Sequence, residues 1–288
     1  MELYCFKPLW GHQGRFIDAC VQACNENFQG LEGQVPEQAQ QRLQWRDHLQ
    51  AEGLAFIAEI CTAGSYVPDR SASLGEHLDD FAKKLDRSLA LNPLKINCLG
   101  GCDAWPEEES AQFFSEAMDL ARQAAVSVSF ETHRGRSLFN PWTTGRLCRV
   151  LPSLQLTADF SHWCVVCERL LDEEAEGMTA LFERVQHIHG RVGYEQGAQV
   201  GDPRGRLSLD ALQVHQRWWR KIWQQQLNRG DRLTTLTPEF GPDGYQMIDP
   251  DSEQAIGDLW AYNCWMAQTQ RQQFSEFSST QNISGEPQ

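Results

Sequence analysis

Eight short apolar or β-branched runs recur along this 288-residue chain, and their spacing limits what it can fold into more than any other feature. They lie at 2–6 (ELYCF), 29–33 (QGLEG), 54–60 (LAFIAEI), 94–98 (LKINC), 126–131 (VSVSFE), 155–159 (QLTAD), 186–192 (QHIHGRV) and 233–239 (LTTLTPE). Their starts are separated by 27, 25, 40, 32, 29, 31 and 47 residues. Each interval suits a strand followed by a helix and a return, which takes ~30 residues or more. Helical spacing fills the intervals at about 14–27, 36–51, 73–91, 107–124, 165–184, 207–228 and 251–275, and the second of these carries Pro36 at an early helical position. Eight such units predict an α/β fold, a (β/α)8 TIM barrel over residues 1–275. A doubly wound open sheet is the alternative, and QGLEG is a weak strand taken alone. Residues 276–288 (EFSSTQNISGEPQ) are polar and read as a flexible tail, in which the Asn282-Ile-Ser284 sequon carries little weight.

Lys and Arg total 25 against 39 Asp and Glu, a formal net charge of −14. Such a surface repels phosphate backbones and anionic leaflets, so nucleic acid and membranes are not the expected partners. No apolar stretch approaches the ~20 residues of a membrane span, and the first residues lack a basic-then-apolar leader, so a cytoplasmic protein is expected. The ten cysteines form no stapled module and read as free thiols; Cys164 and Cys167, a lone C-x-x-C, read as small buried residues.

In a barrel the active site gathers at the C-terminal strand ends. Four late runs end in ionisable residues: Glu131; Asp159 with His162; His187 and His189; and Glu239. Separations of 28, 30 and 50 residues from Glu131 through Asp159 and His189 to Glu239 put each on its own strand end. Any one could be a helix cap or a satisfied core residue. Together they predict a divalent-cation site, because three buried carboxylates would otherwise repel one another and lose their hydration. Strand geometry points both histidines to one side and does not choose between them.

On the Glu131 strand end, the D-x-x-H of 159–162, the H-I-H of 187–189 and the P-E-F-G of 238–241, the chain resembles the xylose isomerase-like TIM-barrel superfamily. That superfamily holds sugar isomerases, ketose 3-epimerases, hydroxypyruvate isomerase and an apurinic endonuclease branch. The stretch FETHRGRSLFNPWTTGRL (130–147) is similar to a narrower sugar phosphate isomerase/epimerase-like group, from whose better-known relatives the crowding of His133, Arg134 and Arg136 departs. The resemblance implies one Mn2+, Mg2+, Co2+ or Zn2+ ion held by Glu131, Asp159, His189 and Glu239, with His187 in support. It implies that Glu131 and Glu239 are the acid/base pair and that His162 contacts the substrate oxygen on which charge develops. The endonuclease branch assembles three metals with further histidines and aspartates that this chain does not match.

A mainly hard donor set favours Mn2+ or Mg2+, with Co2+ and Zn2+ feasible. Such an ion would stabilise the enediolate formed when a proton leaves a carbon next to a carbonyl. The expected function is therefore a metal-dependent isomerase or epimerase of a small sugar or hydroxy-carbonyl compound. A lyase acting on a keto-sugar or 3-keto-glycoside by the same proton abstraction is the alternative, and a phosphodiesterase or a metal-holding binding protein without turnover is a weaker one. Arg191 is a substrate contact or the partner of an acidic neighbour; Arg134 and Arg136 would grip an anionic group or be solvated charges. The Gly-rich segment 194–206 reads as a loop over the barrel mouth, turning Glu195, Gln196 and Asp202 toward substrate. Trp10 with His12, and Asp103 with Trp105, are candidate pocket walls, whereas the aromatics of RWWRKIW (217–223) read as core. With no Gly-rich phosphate loop after the late strands, an unphosphorylated substrate is favoured. Homo-oligomerisation is left open.

Overall fold

QGLEG, the weakest of the eight runs, is a full member of the sheet. A computed structural model describes residues 1–284, with the backbone alone for 282–284. Its strands are β1 (Glu2–Pro8), β2 (Gly30–Gln34), β3 (Ala55–Cys61), β4 (Lys95–Leu99), β5 (Val128–Glu131), β6 (Leu156–Ala158), β7 (Val185–His189) and β8 (Leu233–Thr237). They pair in sequence order, all parallel, and close where Glu2 to Cys5 of β1 meet Leu233 to Leu236 of β8. This is the (β/α)8 barrel. β2 lacks apolar bulk for a steric reason: a Cβ at Gly30 would lie 2.3 Å from the Ala55 carbonyl oxygen and 2.6 Å from the Phe6 ring. Glycine lets β2 approach its neighbours where a side chain would force them apart.

The helices are α1 (Phe16–Asn25), α2 (Ala39–Glu52), α3 (Leu74–Leu89), α4 (Glu107–Gln123), α5 (Pro141–Val150), α6 (Ser161–Val166), α7 (Thr179–Phe182), α8 (Leu209–Asn228) and α9 (Leu259–Ser284). Local chemistry marks their starts. Ser73 and Glu76 form a capping box on α3, and the Asn140 side chain accepts the Thr143 N–H with Pro141 at the first turn of α5. That Asn-Pro pair signals a helix absent from the expected set. The helix expected over 165–184 is instead two short pieces, because Glu168 and Gly177 adopt positive φ (52° and 70°) between them. The expected tail also differs: α9 continues through 276–284, and Phe277 is buried beside Trp223, at a ring separation of 5.9 Å. Residues 285–288 lie outside those described. No helix among the described residues is long and apolar enough to cross a membrane.

Trp218, Trp219 and Trp223 are buried in the helical layer, as expected of core aromatics, and all ten cysteines are unbridged. The barrel interior is unusually polar. Lys95 donates to the Gln186 carbonyl (2.7 Å) and Thr235 Oγ1 (3.2 Å), and Ser129 pairs with Thr157 (2.7 Å). These groups share the space that branched aliphatics fill in most such barrels.

His215 on α8 is 1% exposed, accepts the Gly193 N–H at Nε2 (3.3 Å) and donates Nδ1–H to the Ala211 carbonyl (2.9 Å). Burial lowers its pKa to about 4, so the folded chain binds the proton less well than the unfolded chain does. Its stabilising effect is present above pH ~6.5 and lost as pH falls toward 4, by up to about 3 kcal/mol. Urea unfolding at pH 7 and pH 4.5 should therefore show a smaller acid destabilisation in His215→Met than in the native chain; an equal pH dependence would contradict this.

Candidate metal centre

Glu131 ends β5, Asp159 follows β6, His189 ends β7, and Glu239 lies two residues beyond β8. Parallel closure brings these four ends together, and one ligand atom from each lies within 4.8 Å of all the others. All four side chains are buried.

His189 is held from both sides. Its Nε2 faces Glu32 Oε1 at 3.1 Å, and its Nδ1 lies 2.9 Å from Glu239 Oε2 and 3.6 Å from Glu131 Oε2. Nδ1 and Glu239 Oε2 are buried without a hydrogen bond of good geometry. In the neutral ring, with its proton on Nε2 toward Glu32, Nδ1 and Glu239 Oε2 are two acceptors converging on one point, which suits a shared cation. Electrostatics agree: burial opposes protonation of His189, but Glu239, Glu32 and Glu131 hold its pKa well above the usual imidazole range. A divalent ion would take over what that proton does. Burial raises the Glu131 and Asp159 carboxyls; it also acts on Glu239, but His189 and Arg191 outweigh it and lower that group. The residues present fit a divalent metal.

The two histidines of β7 have separate surroundings. His187 uses both nitrogens, Nε2 on Glu32 Oε2 (2.9 Å) and Nδ1 on Thr235 Oγ1 (2.7 Å), and has none left for an ion at the four-residue cluster. Glu32 also accepts from Thr237 Oγ1, so one carboxylate orients both rings. A histidine ligand commonly gives its second nitrogen to such a group. A further grouping, Glu131 with His133 and His162, suits a cation less. Nε2 of His162 meets Arg191 at 2.8 Å, and burial, with the neighbouring ring and guanidinium charges adding to it, pushes both rings well below the usual imidazole range.

Arg191 bonds Asp159 Oδ2 and donates Nε–H to Ser161 Oγ (3.2 Å), so it pairs with an acidic neighbour while also lining the pocket. His162 is fully buried, with the His133 ring against it at 3.8 Å; His133 rather than His162 forms the pocket wall. Arg136 is neither a substrate contact nor a solvated charge. It is buried and donates to the carbonyls of Thr62, Ser65, Tyr66 and Gly101, tying the loops after β3, β4 and β5 together. Trp10 reaches the pocket, but His12 contacts the Arg15 carbonyl (3.2 Å) and Trp105 packs on His77 (4.6 Å); Asp103 lies on the exposed surface. Arg134, Glu195 and Gln196 line a second, outer cavity, and Asp202 pairs with Arg204 (2.9 Å).

The inner pocket holds about 60 Å3 and is lined by Glu131 and Glu239 together with residues absent from the sequence reading: Gln34, Glu59, Tyr66 and Tyr245. Desolvation, reinforced by Glu239 and Glu131, pushes the Glu59 carboxyl to about 7, although Gln34 donates to it (3.0 Å). Glu32 and Glu59 are the polar positions of early runs. Extending the strand-end argument to those runs finds both; Tyr66 and Tyr245 have no such signal.

Neither a family model nor a curated protein matches this chain. Solved structures do. D-allulose 3-epimerase from Methylomonas sp., in complex with D-allulose, aligns over 94% of this chain and 97% of its own with a TM-score of 0.65 at 12% identity. The IolI protein with a bound zinc atom covers 97% and 99% (TM-score 0.61, 12% identity), and endonuclease IV from Thermus thermophilus covers 95% and 99% (0.58, 15%). The chain has the fold of the xylose isomerase-like TIM barrels. Within that fold, sugar chemistry and nucleic-acid cleavage both occur, so the reaction has to be argued from the site.

Asp159→Ala should abolish stoichiometric binding of Mn2+ by purified protein. Glu32→Ala should weaken it roughly 10–100-fold by freeing the His189 ring. Chelator competition measures both; full retention in Asp159→Ala, or loss in His187→Ala with retention in His189→Ala, would show that the ligand set is different.

Proposed function

We propose that this protein is a divalent-metal-dependent isomerase or epimerase that moves a proton on a carbon next to the carbonyl of a small sugar or hydroxy-carbonyl compound. The observation that carries the reading is that Glu131 and Glu239 line one pocket while each offers an oxygen to the four-residue cluster. A cation held by Glu131, Asp159, His189 and Glu239, with Mn2+ or Mg2+ favoured and Zn2+ or Co2+ feasible, would polarise the carbonyl and stabilise negative charge on its oxygen. One glutamate takes the proton from one face of the substrate carbon and the other returns it to the opposite face. Arg191 stays on Asp159 and adds positive charge beside the oxygen, and Trp10, Tyr66 and Tyr245 exclude water from the pocket.

A lyase that expels a β-leaving group uses the same first step. Glu59, a further carboxyl in the same pocket whose pKa burial raises to about 7, is the group available to protonate such a leaving group.

Incubating the Mn2+-loaded protein with a panel of ketoses and 3-keto-glycosides in deuterated water should place deuterium at the carbon next to the carbonyl, read by mass spectrometry. An epimer as product supports the first reading, and release of an aglycone or water the second. Glu131→Gln and Glu239→Gln should each lower exchange by about 10²-fold or more, because an amide can still offer an oxygen but cannot take the proton. Exchange at the native rate in either variant removes that residue from the mechanism.

A further inference from the structure

Two lysines lie on the strands, and their surroundings differ. Lys95 reaches into the barrel and donates to the Gln186 carbonyl and Thr235 Oγ1 at 2.7 and 3.2 Å. Lys7, on β1, is 3% exposed and points the other way: Phe6 beside it meets the His187 ring inside the barrel, so strand alternation turns Lys7 toward the helical layer. There its Nζ lies 4.0 Å from the centre of the Trp260 ring on α9. Its hydrogen-bond acceptor among the described residues is the Pro8 carbonyl at 3.5 Å, the long limit of such a bond. Burial lowers the amine to about 8, and the group acting against this is the Cys264 thiol, not a carboxylate. Near neutral pH Lys7 is therefore a buried ammonium without a counter-ion.

The amine borders a cavity of about 250 Å3 between the loop after β1, helix α1 and the start of α9, lined also by Trp10, His12, Gln13, Gln22 and Asn263. No Asp or Glu among the described residues lines it, although the chain carries a net charge of −14. Asn263 forms a fixed wall, since its side chain accepts the Phe240 N–H (2.8 Å) and donates to the Phe240 carbonyl (2.9 Å). Trp10 borders both this cavity and the inner pocket and so stands between them. Burying an ammonium costs free energy unless other groups replace its water. The face of Trp260 replaces part of it. A negative group in the cavity would replace the rest, with the Gln13 and Gln22 carboxamides as further donors.

We propose that this cavity is a binding site for a small organic anion, separate from the metal centre, which places its carboxylate or phosphate group on the Lys7 ammonium. The site stands whatever reaction the metal centre performs.

Calorimetry with inorganic phosphate and, separately, with malonate on the Mn2+-loaded protein should detect binding of one or both, and the tighter probe identifies the anionic group. Affinity should fall by about 10-fold or more in Lys7→Met, as the loss of a charge-assisted hydrogen bond requires. It should be unchanged in Asp159→Ala, which separates this site from an anion held on the metal. Lys7→Met should melt at or above the native temperature, because it removes an unpaired buried charge. A second measurement needs no variant: acetic anhydride labelling of Lys7 across pH, read by peptide mass spectrometry, should show its midpoint move upward by about one pH unit or more at saturating anion. Absence of binding by both probes, equal affinity in Lys7→Met, loss in Asp159→Ala with retention in Lys7→Met, or an unmoved labelling midpoint overturns the site.

Discussion

Five carboxylates, those of Glu32, Glu59, Glu131, Asp159 and Glu239, meet at one end of the barrel, and Arg191 is the guanidinium in contact with two of them. Burying so much like charge is unfavourable unless positive charge is supplied, and the rest of the site is arranged around that requirement. His189 meets part of it by holding a proton between Glu32 on one nitrogen and Glu239 and Glu131 on the other. A divalent ion at the same four-residue cluster would meet more of it and leave Glu32 to fix the ring.

This requirement explains why the barrel interior is polar below the site. Glu32 can stay ionised because His187, His189 and Thr237 surround it, and His187 in turn rests on Thr235, which also receives Lys95. The layers that give other barrels an aliphatic core here support the orientation of a single imidazole. Above the cluster the surroundings change. Trp10, Tyr66 and Tyr245 form an aromatic collar, with Tyr245 edge-on to Trp10 at 5.2 Å and Arg191 4.6 Å from its ring centre, so that polar chemistry lies behind an apolar opening.

Much of this was legible in one dimension. Strand periodicity and unit spacing are local properties, so the eight runs, their order and the strand-end positions of Glu131, Asp159, the His187/His189 pair and Glu239 followed from residue types and counting. Local competition between helix and turn was harder to read. The Asn140-Pro141 start of α5 was overlooked, the positive φ of Glu168 and Gly177 divided an acidic stretch that looked helical, and Phe277 drew α9 into a segment whose composition suggested a frayed end.

By itself the sequence determined that eight strand-helix units would alternate and which of them ended in groups able to hold a cation. Residue types and strand geometry left His187 and His189 open and only the resemblance named His189; the tertiary structure gives the two rings different surroundings, because both lie on one face of β7 and differ in which layer of the barrel each ring meets. Closure also brought Glu32, 157 residues away in the chain, onto His189, turned Arg136 inward to tie three loops, and set Tyr245 between two cavities. These are long-range contacts created by joining β1 to β8, and the pattern of residues along one strand does not encode which side chain on another strand will share its level.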